Sequence, residues 1–97
     1  MIVAVSVFEI HIPSCRSLKG KRRVIKPLIE RIHQRFRVSI VETDYHDLHQ
    51  RGEIAIALVN RTYPDAERMM DEIRFMIEEM PDAYLTSWDP EYLEVMS

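Results

Sequence analysis

Hydrophobic and polar positions follow two periods along this chain, and the points where one period gives way to the other mark its elements. From Ile2 to Ile12 nearly every position is apolar or small. Ile2, Ala4, Ser6, Phe8 and Ile10 fall on one side and Val3, Val5 and Val7 on the other, the pattern of a central strand covered on both faces. Pro13 ends it. Ser17 is an N-cap candidate for a helix whose stripe is Leu18, Ile25, Leu28, Ile29, Ile32 and Phe36, spaced three and four apart. The spacing predicts a helix to about Phe36. Gly20 and Pro27 weaken it, but at about 100° per residue Pro27 falls opposite the stripe, where a kink bends the helix around the core. The alternative is a helix that starts near Val24, with the preceding segment a loop.

Val38 to Thr43 alternates and is β-branched, which predicts a second strand, and Ile54 to Val59 predicts a third. Between them lies a polar hairpin, Asp44 to Gly52. Thr62-Tyr63-Pro64-Asp65 opens a second helix with a Thr cap, an early Pro and an acid in the first turn. Its inward positions are Ala66, Met69, Met70, Ile73, Met76, Ile77 and Met80, and Pro81 stops it. Ala83 to Trp88 predicts a fourth strand, which Asp89-Pro90 breaks or bulges before Tyr92 to Val95, as befits a sheet edge. The order β-α-β-β-α-β closes most economically as an α+β, ferredoxin-like split β-α-β fold. That is an antiparallel four-stranded sheet of order 4-1-3-2 with both helices on one face. Tracing the chain up and down brings three connections to one end: the loop into the first helix, the Asp44 to Gly52 hairpin and the turn at Pro81.

Ninety-seven residues, 46% of them hydrophobic and 30% charged, predict one domain over 1–97 with a two-layer core. The lone Cys15 excludes an intrachain disulfide and fits a reducing compartment, so the cytoplasm is expected. The apolar start lacks a basic flank and is too short to span a bilayer, which argues against export and anchoring. Charge changes the picture most. Between Arg16 and Arg37 there are nine basic residues against the single acid Glu30, a local sum of +8, while the rest of the chain carries −11, so the net −3 hides a polarised molecule. Cations at a helix start oppose the macrodipole by roughly 0.3 to 1 kcal/mol each, and this points to an anion that the sequence does not contain.

The residues His11-Ile12-Pro13, Ser17-Leu18-Lys19, Lys21-Arg22 and Val24, together with Arg35-Phe36 and Val38-Ser39-Ile40 and with Asp47-Leu48 and Gln50-Arg51, resemble the YlxP-like family of small bacterial proteins of unknown function. The resemblance covers most of the chain up to the second helix. It implies a ferredoxin-like fold and, because genes of the family often neighbour those for translation initiation and ribosome maturation, a tie to RNA or ribosomes. The chain departs from the family pattern at His49, where Trp is common, and at Gly20, where an acid is common.

Several chemistries compete for the candidate residues. Lys19, Arg22, Arg23, Lys26, His33 and Arg37 fall within an arc of about 100° on the first helix, a stripe able to follow a phosphate backbone. The expected anion or RNA site comprises Ser17, Lys19, Lys21, Arg22, Arg23, Lys26, Gln50 and Arg51, with Asp47 and His49 on its rim. An RNA or a ribosomal particle is the expected partner, and the alternatives are a dimeric anion or metabolite sensor and a protein-interaction module that uses the smooth sheet face. A membrane partner is not expected, because the core needs the apolar helix face. His46 and His49 could meet around one ion but lack a third fixed ligand, so no metal or cofactor is expected. Arg16 and Asn60 invite comparison with acylphosphatases, yet the first loop has no glycine-rich nest and Asn60 belongs at the far end of its strand. No catalysis is expected, and Cys15 has no identifiable base beside it. The four Met of the second helix read as core. Base stacking on the sheet is disfavoured, since Phe8 is the one aromatic on strands one and three. The face carrying Ala4, Ser6, Phe8, Ala55, Ala57 and Val59 reads as smooth and apolar and suits a homodimer packed sheet to sheet.

Overall fold

Two ten-residue strands, β1 (Ile2–His11) and β3 (Arg51–Asn60), form the centre of the fold. They run antiparallel in unbroken register from Ile2 opposite Asn60 to His11 opposite Arg51. The structure is a computed structural model that describes residues 1–96. Around this pair stand α1 (Leu18–Phe36), β2 (Ser39–Asp44), α2 (Tyr63–Glu78), β4 (Tyr84–Trp88) and β5 (Glu91–Glu94). The sheet order is β2-β3-β1-β4, the 4-1-3-2 ferredoxin-like arrangement, and every pairing is antiparallel. The outer edge of β1 is shared. β4 pairs with Phe8 to His11 and β5 with Ile2 to Val5, and Asp89-Pro90 lies between them because proline cannot donate to a ladder.

Local chemistry accounts for both helices. Ser17 is extended and its hydroxyl accepts from Gly20 N at 2.9 Å, so α1 begins at Leu18 and takes in the basic residues from Lys19 to Arg35, with Arg16 ahead of the cap and Arg37 at the helix end. Arg37, in the left-handed region at φ 54°, closes the helix by donating its N–H to His33 O. Pro27 stands on the exposed side, as its phase requires. Thr62 caps α2 by accepting from Asp65 N at 3.3 Å. The core lies between the sheet and the two helices. Phe8, Ile10, Ile54 and Ile56 from the strands meet Ile25, Leu28 and Ile32 of α1 and Met70, Ile73 and Ile77 of α2. The remaining Met of α2 are buried or pack against this cluster.

The parity of the strands corrects the expected open face. Even-numbered residues of β1 point under the helices: Ala4, Ser6 and Phe8 are at most 1% exposed. Phe8 is stacked at a tilt on Trp88, 5.2 Å between centroids, and is available neither to bases nor to a second copy. The open face carries instead the odd row, Val3, Val5 and Val7, opposite Val59, Ala57 and Ala55 of β3. The expectation joined the inner row of one strand to the outer row of its neighbour, although residues paired across a ladder share a face.

One polar group pays no part in this core. Ser6 Oγ is buried and has no hydrogen-bond partner among the described residues. An unsatisfied hydroxyl costs about 1 to 3 kcal/mol of desolvation. Ser6→Ala is therefore expected to stabilise the fold by about 1 kcal/mol, read as a higher urea midpoint at unchanged slope.

Candidate functional site

The loop after β1 and the hairpin between β2 and β3 meet at one end of the sheet. Ile12 N donates to Gln50 O at 2.8 Å, which prolongs the β1–β3 ladder beyond both strands. Gln50 Nε2 donates back to Pro13 O at 3.1 Å and to Cys15 O at 3.4 Å, so this amide staples the two loops together. Cys15 is buried and its thiol is turned to Ser17 O at 3.2 Å. A Cβ at Gly20 would lie 3.2 Å from Ser17 Oγ and 3.3 Å from Cys15 Sγ, so the third position of α1 is crowded by the cap itself.

Lys21 occupies the centre of this arrangement. Its side chain is 4% exposed, its Nζ donates to Tyr45 O at 2.6 Å, and it lies 2.8 Å from Glu42 Oε2. That carboxylate oxygen is buried and has no directional hydrogen bond among the described residues, so the Glu42 contact is an ion pair set by distance rather than angle. Tyr45 adopts φ 62° at the hairpin corner, where its carbonyl also accepts from Leu48 N at 3.0 Å. Gly52 makes room for the clamp: a Cβ there would lie 2.7 Å from Ile25 Cδ1 and 3.6 Å from Lys21 Cε.

A second polar cluster forms on the other side of the hairpin. Arg51 Nη2 donates to both oxygens of Glu9, at 3.0 and 3.1 Å, and its guanidinium covers the Tyr45 ring 4.3 Å from the centroid. Tyr45 OH donates to Glu9 Oε1 at 3.1 Å. The Arg51 hydrogen bond, against some desolvation, holds the Glu9 carboxyl below its ordinary value of 4.5, and the Tyr45 hydroxyl adds to the effect. The same bond to Glu9 pushes the Tyr45 hydroxyl up.

The predicted site residues thus divide. Lys19, Arg22, Arg23 and Lys26 are exposed on α1, and none makes an ion pair among the described residues. Arg22 and Lys26 border a groove of about 410 Å³ between α1 and the hairpin, floored by Leu18, Ile25 and Ile29 and edged by Glu30, Glu42 and His46. Lys21, expected among the exposed cations, is instead buried and neutralised. Ser17 caps the helix. Gln50 serves the loop staple, and Arg51 belongs to the sheet side with Glu9, away from the helix stripe. Asp47 and His49 line a separate hollow of about 280 Å³ with His11 and Arg51. His46 and His49 therefore face different hollows, and among the described residues no three metal-ligating side chains gather. Sequence reasoning passed over Glu42, although it stands on the inward row of β2 opposite Ile54, where an acid calls for a buried cation. Tyr45 carried no comparable signal.

The model of a family described as "Protein of unknown function (DUF503)" matches residues 3–89. An uncharacterized protein, YlxP, of Bacillus subtilis (strain 168) is 35% identical over 66 residues, 68% of this chain and 72% of that protein.

Removing one partner of a buried ion pair strands the other. Lys21→Met is expected to destabilise the protein by about 3 kcal/mol, the low end for such pairs because the Glu42 side chain keeps 23% exposure. In urea unfolding the Lys21→Met/Glu42→Leu double variant should recover most of that loss, since no unpaired charge is left buried. The Glu9 cluster has a definite pH sign. A depressed carboxylate contributes fully above its unfolded value and loses that contribution as pH falls through the folded one, so the contacts made by Arg51 fade only below pH about 4.5. An NMR titration should find Glu9 below the ordinary carboxylate range in the parent protein and returned towards it in Arg51→Gln.

Proposed function

The chain belongs to the DUF503 family of proteins of unknown function, and for this member we propose a non-enzymatic role in binding RNA or a ribonucleoprotein surface through the exposed cations at the start of α1. One observation carries the reading: Lys19, Arg22, Arg23 and Lys26 crowd the first half of α1 with no acid paired to them among the described residues. Such an arrangement is unfavourable in the free protein, because cations three and four residues apart repel one another and Lys19 in the first turn also opposes the macrodipole, and a polyanion relieves both. From residue 19 to residue 26 the helix rises about 10 Å, enough to meet consecutive phosphates of one strand. His33 and Arg37 continue the line towards the far end of α1. Glu30 falls within the same arc, and α2 is acidic, so contact is confined to the first turns. Four cations imply a salt slope of at most about 3 to 4 and little readout of bases, because phosphate contacts position without specifying. The role belongs in the cytoplasm. Among the described residues no helix is long and apolar enough to cross a membrane.

The groove beside the stripe favours a second reading. An apolar floor bordered by Arg22, Lys26 and His46 suits one small anion with an apolar body, and such binding would depend weakly on salt.

The test is binding to ribosomal subunits and structured RNA across a salt series, with an Arg22→Glu/Arg23→Glu/Lys26→Glu variant beside the parent. Lys21 is left intact because its loss would confound binding with folding. Binding that weakens steeply with salt and disappears in the variant is the expected result, with Arg51→Gln close to the parent. Failure of the folded parent protein to bind at low salt would refute the RNA reading and shift weight to the groove.

A further inference from the structure

The face of the sheet opposite the helices has relief as well as apolarity. Ala55 and Ala57 make a low row along β3, with Val5 and Val7 of β1 rising on one side and Val41 of β2 on the other. These five line a shallow hollow of about 560 Å³. Val59 and Leu93 extend the surface at one end, and five large side chains on it, Val5, Val7, Val41, Val59 and Leu93, are 38 to 63% exposed. Its charges lie at the margins: Glu9, Glu53 and Arg51 at the hairpin end, where Arg51 is held by Glu9, and Glu91 on β5 opposite Val5. A ridge standing beside a trough is self-complementary under one operation, a twofold axis parallel to the strands between β1 and β3.

We propose that this face is the contact surface of a homodimer in which the β1 valines of each copy rest in the β3 alanine row of the other. The size fits. The block spans about 17 Å along the strands and about 19 Å across four of them, so each copy offers on the order of 300 Å² in projection and more as accessible surface. With the polar surround, two copies reach the roughly 1,000 Å² that a specific interface requires. A charge-depleted centre with a charged rim is what such interfaces share. A twofold perpendicular to the strands would set valine ridge on valine ridge and leave both troughs empty, which close packing disfavours. With the axis along the strands both α1 starts lie at the same end of the dimer on its outer surfaces, about 30 Å apart if sheets and helix layers each pack at about 10 Å.

Sedimentation equilibrium of the full chain, parent and Val7→Glu, tests the proposal, with circular dichroism to establish that the variant is folded. The expected result is a dimer at micromolar concentration in the parent and a dissociation constant raised at least about 100-fold in Val7→Glu. Mixing a Val5→Cys protein with an Ala57→Cys protein under oxidation should give the mixed crosslink in preference to the Val5→Cys self-crosslink. A parent that stays monomeric up to about 100 μM overturns the proposal. So does a dimer that folded Val7→Glu leaves intact, or a dominant self-crosslink at position 5.

Discussion

Lys21 carries its charge to the underside of α1, where water does not reach it, and a buried ammonium is tolerated only if its partners are already in place. The Tyr45 carbonyl and the Glu42 carboxylate meet that demand. Each comes from a different part of the chain, so the requirement ties the first turn of α1 to the end of β2 and to the corner of the hairpin at once. The left-handed Tyr45 and the small Gly52 follow from the same constraint: one aims the carbonyl, and the other lets α1 come close enough to use it.

This clamp also decides which cations remain outside. Turning Lys21 inward leaves Lys19, Arg22, Arg23 and Lys26 facing solvent, and it brings the hairpin beside them to wall a groove. Arg51 is taken up by Glu9 on the opposite side of the sheet, so the positive potential gathers along one helix edge rather than around the whole end of the molecule. The proposed contact cations at the start of α1 and the proposed dimer face therefore lie on opposite layers, and His33, further along α1, reaches the margin of the sheet hollow. Each can act without obstructing the other.

Element boundaries were legible because their causes are local. The Ser17 and Thr62 caps, Pro13, Pro81 and Pro90, and the change from a period of two to one of 3.6 each act within a few residues of where they stand. The site was less legible because its pairings span tens of residues. Lys21 falls within about 40° of Ile25 and Leu28 on the helix wheel, a core phase, yet its charge alone made it read as exposed. Glu42 likewise sits on the inward row of its strand. Either phase, taken seriously, implied the other as a partner. The mistaken sheet face arose the same way, since the alternation within β1 and within β3 was clear while the register that couples them was not.

The sequence by itself determined the order of elements, the ferredoxin-like closure, the composition of the core and the concentration of positive charge between Arg16 and Arg37, all consequences of short-range stereochemistry and of amphipathic period. Only the tertiary structure decided which cations are spent inside the fold and which face outward, and which row of each strand is covered. Those outcomes depend on strand register and on the approach of α1 to Gly52, Glu42 and Tyr45. Contacts between residues far apart in the chain are selected by packing the whole core, and no local pattern encodes them.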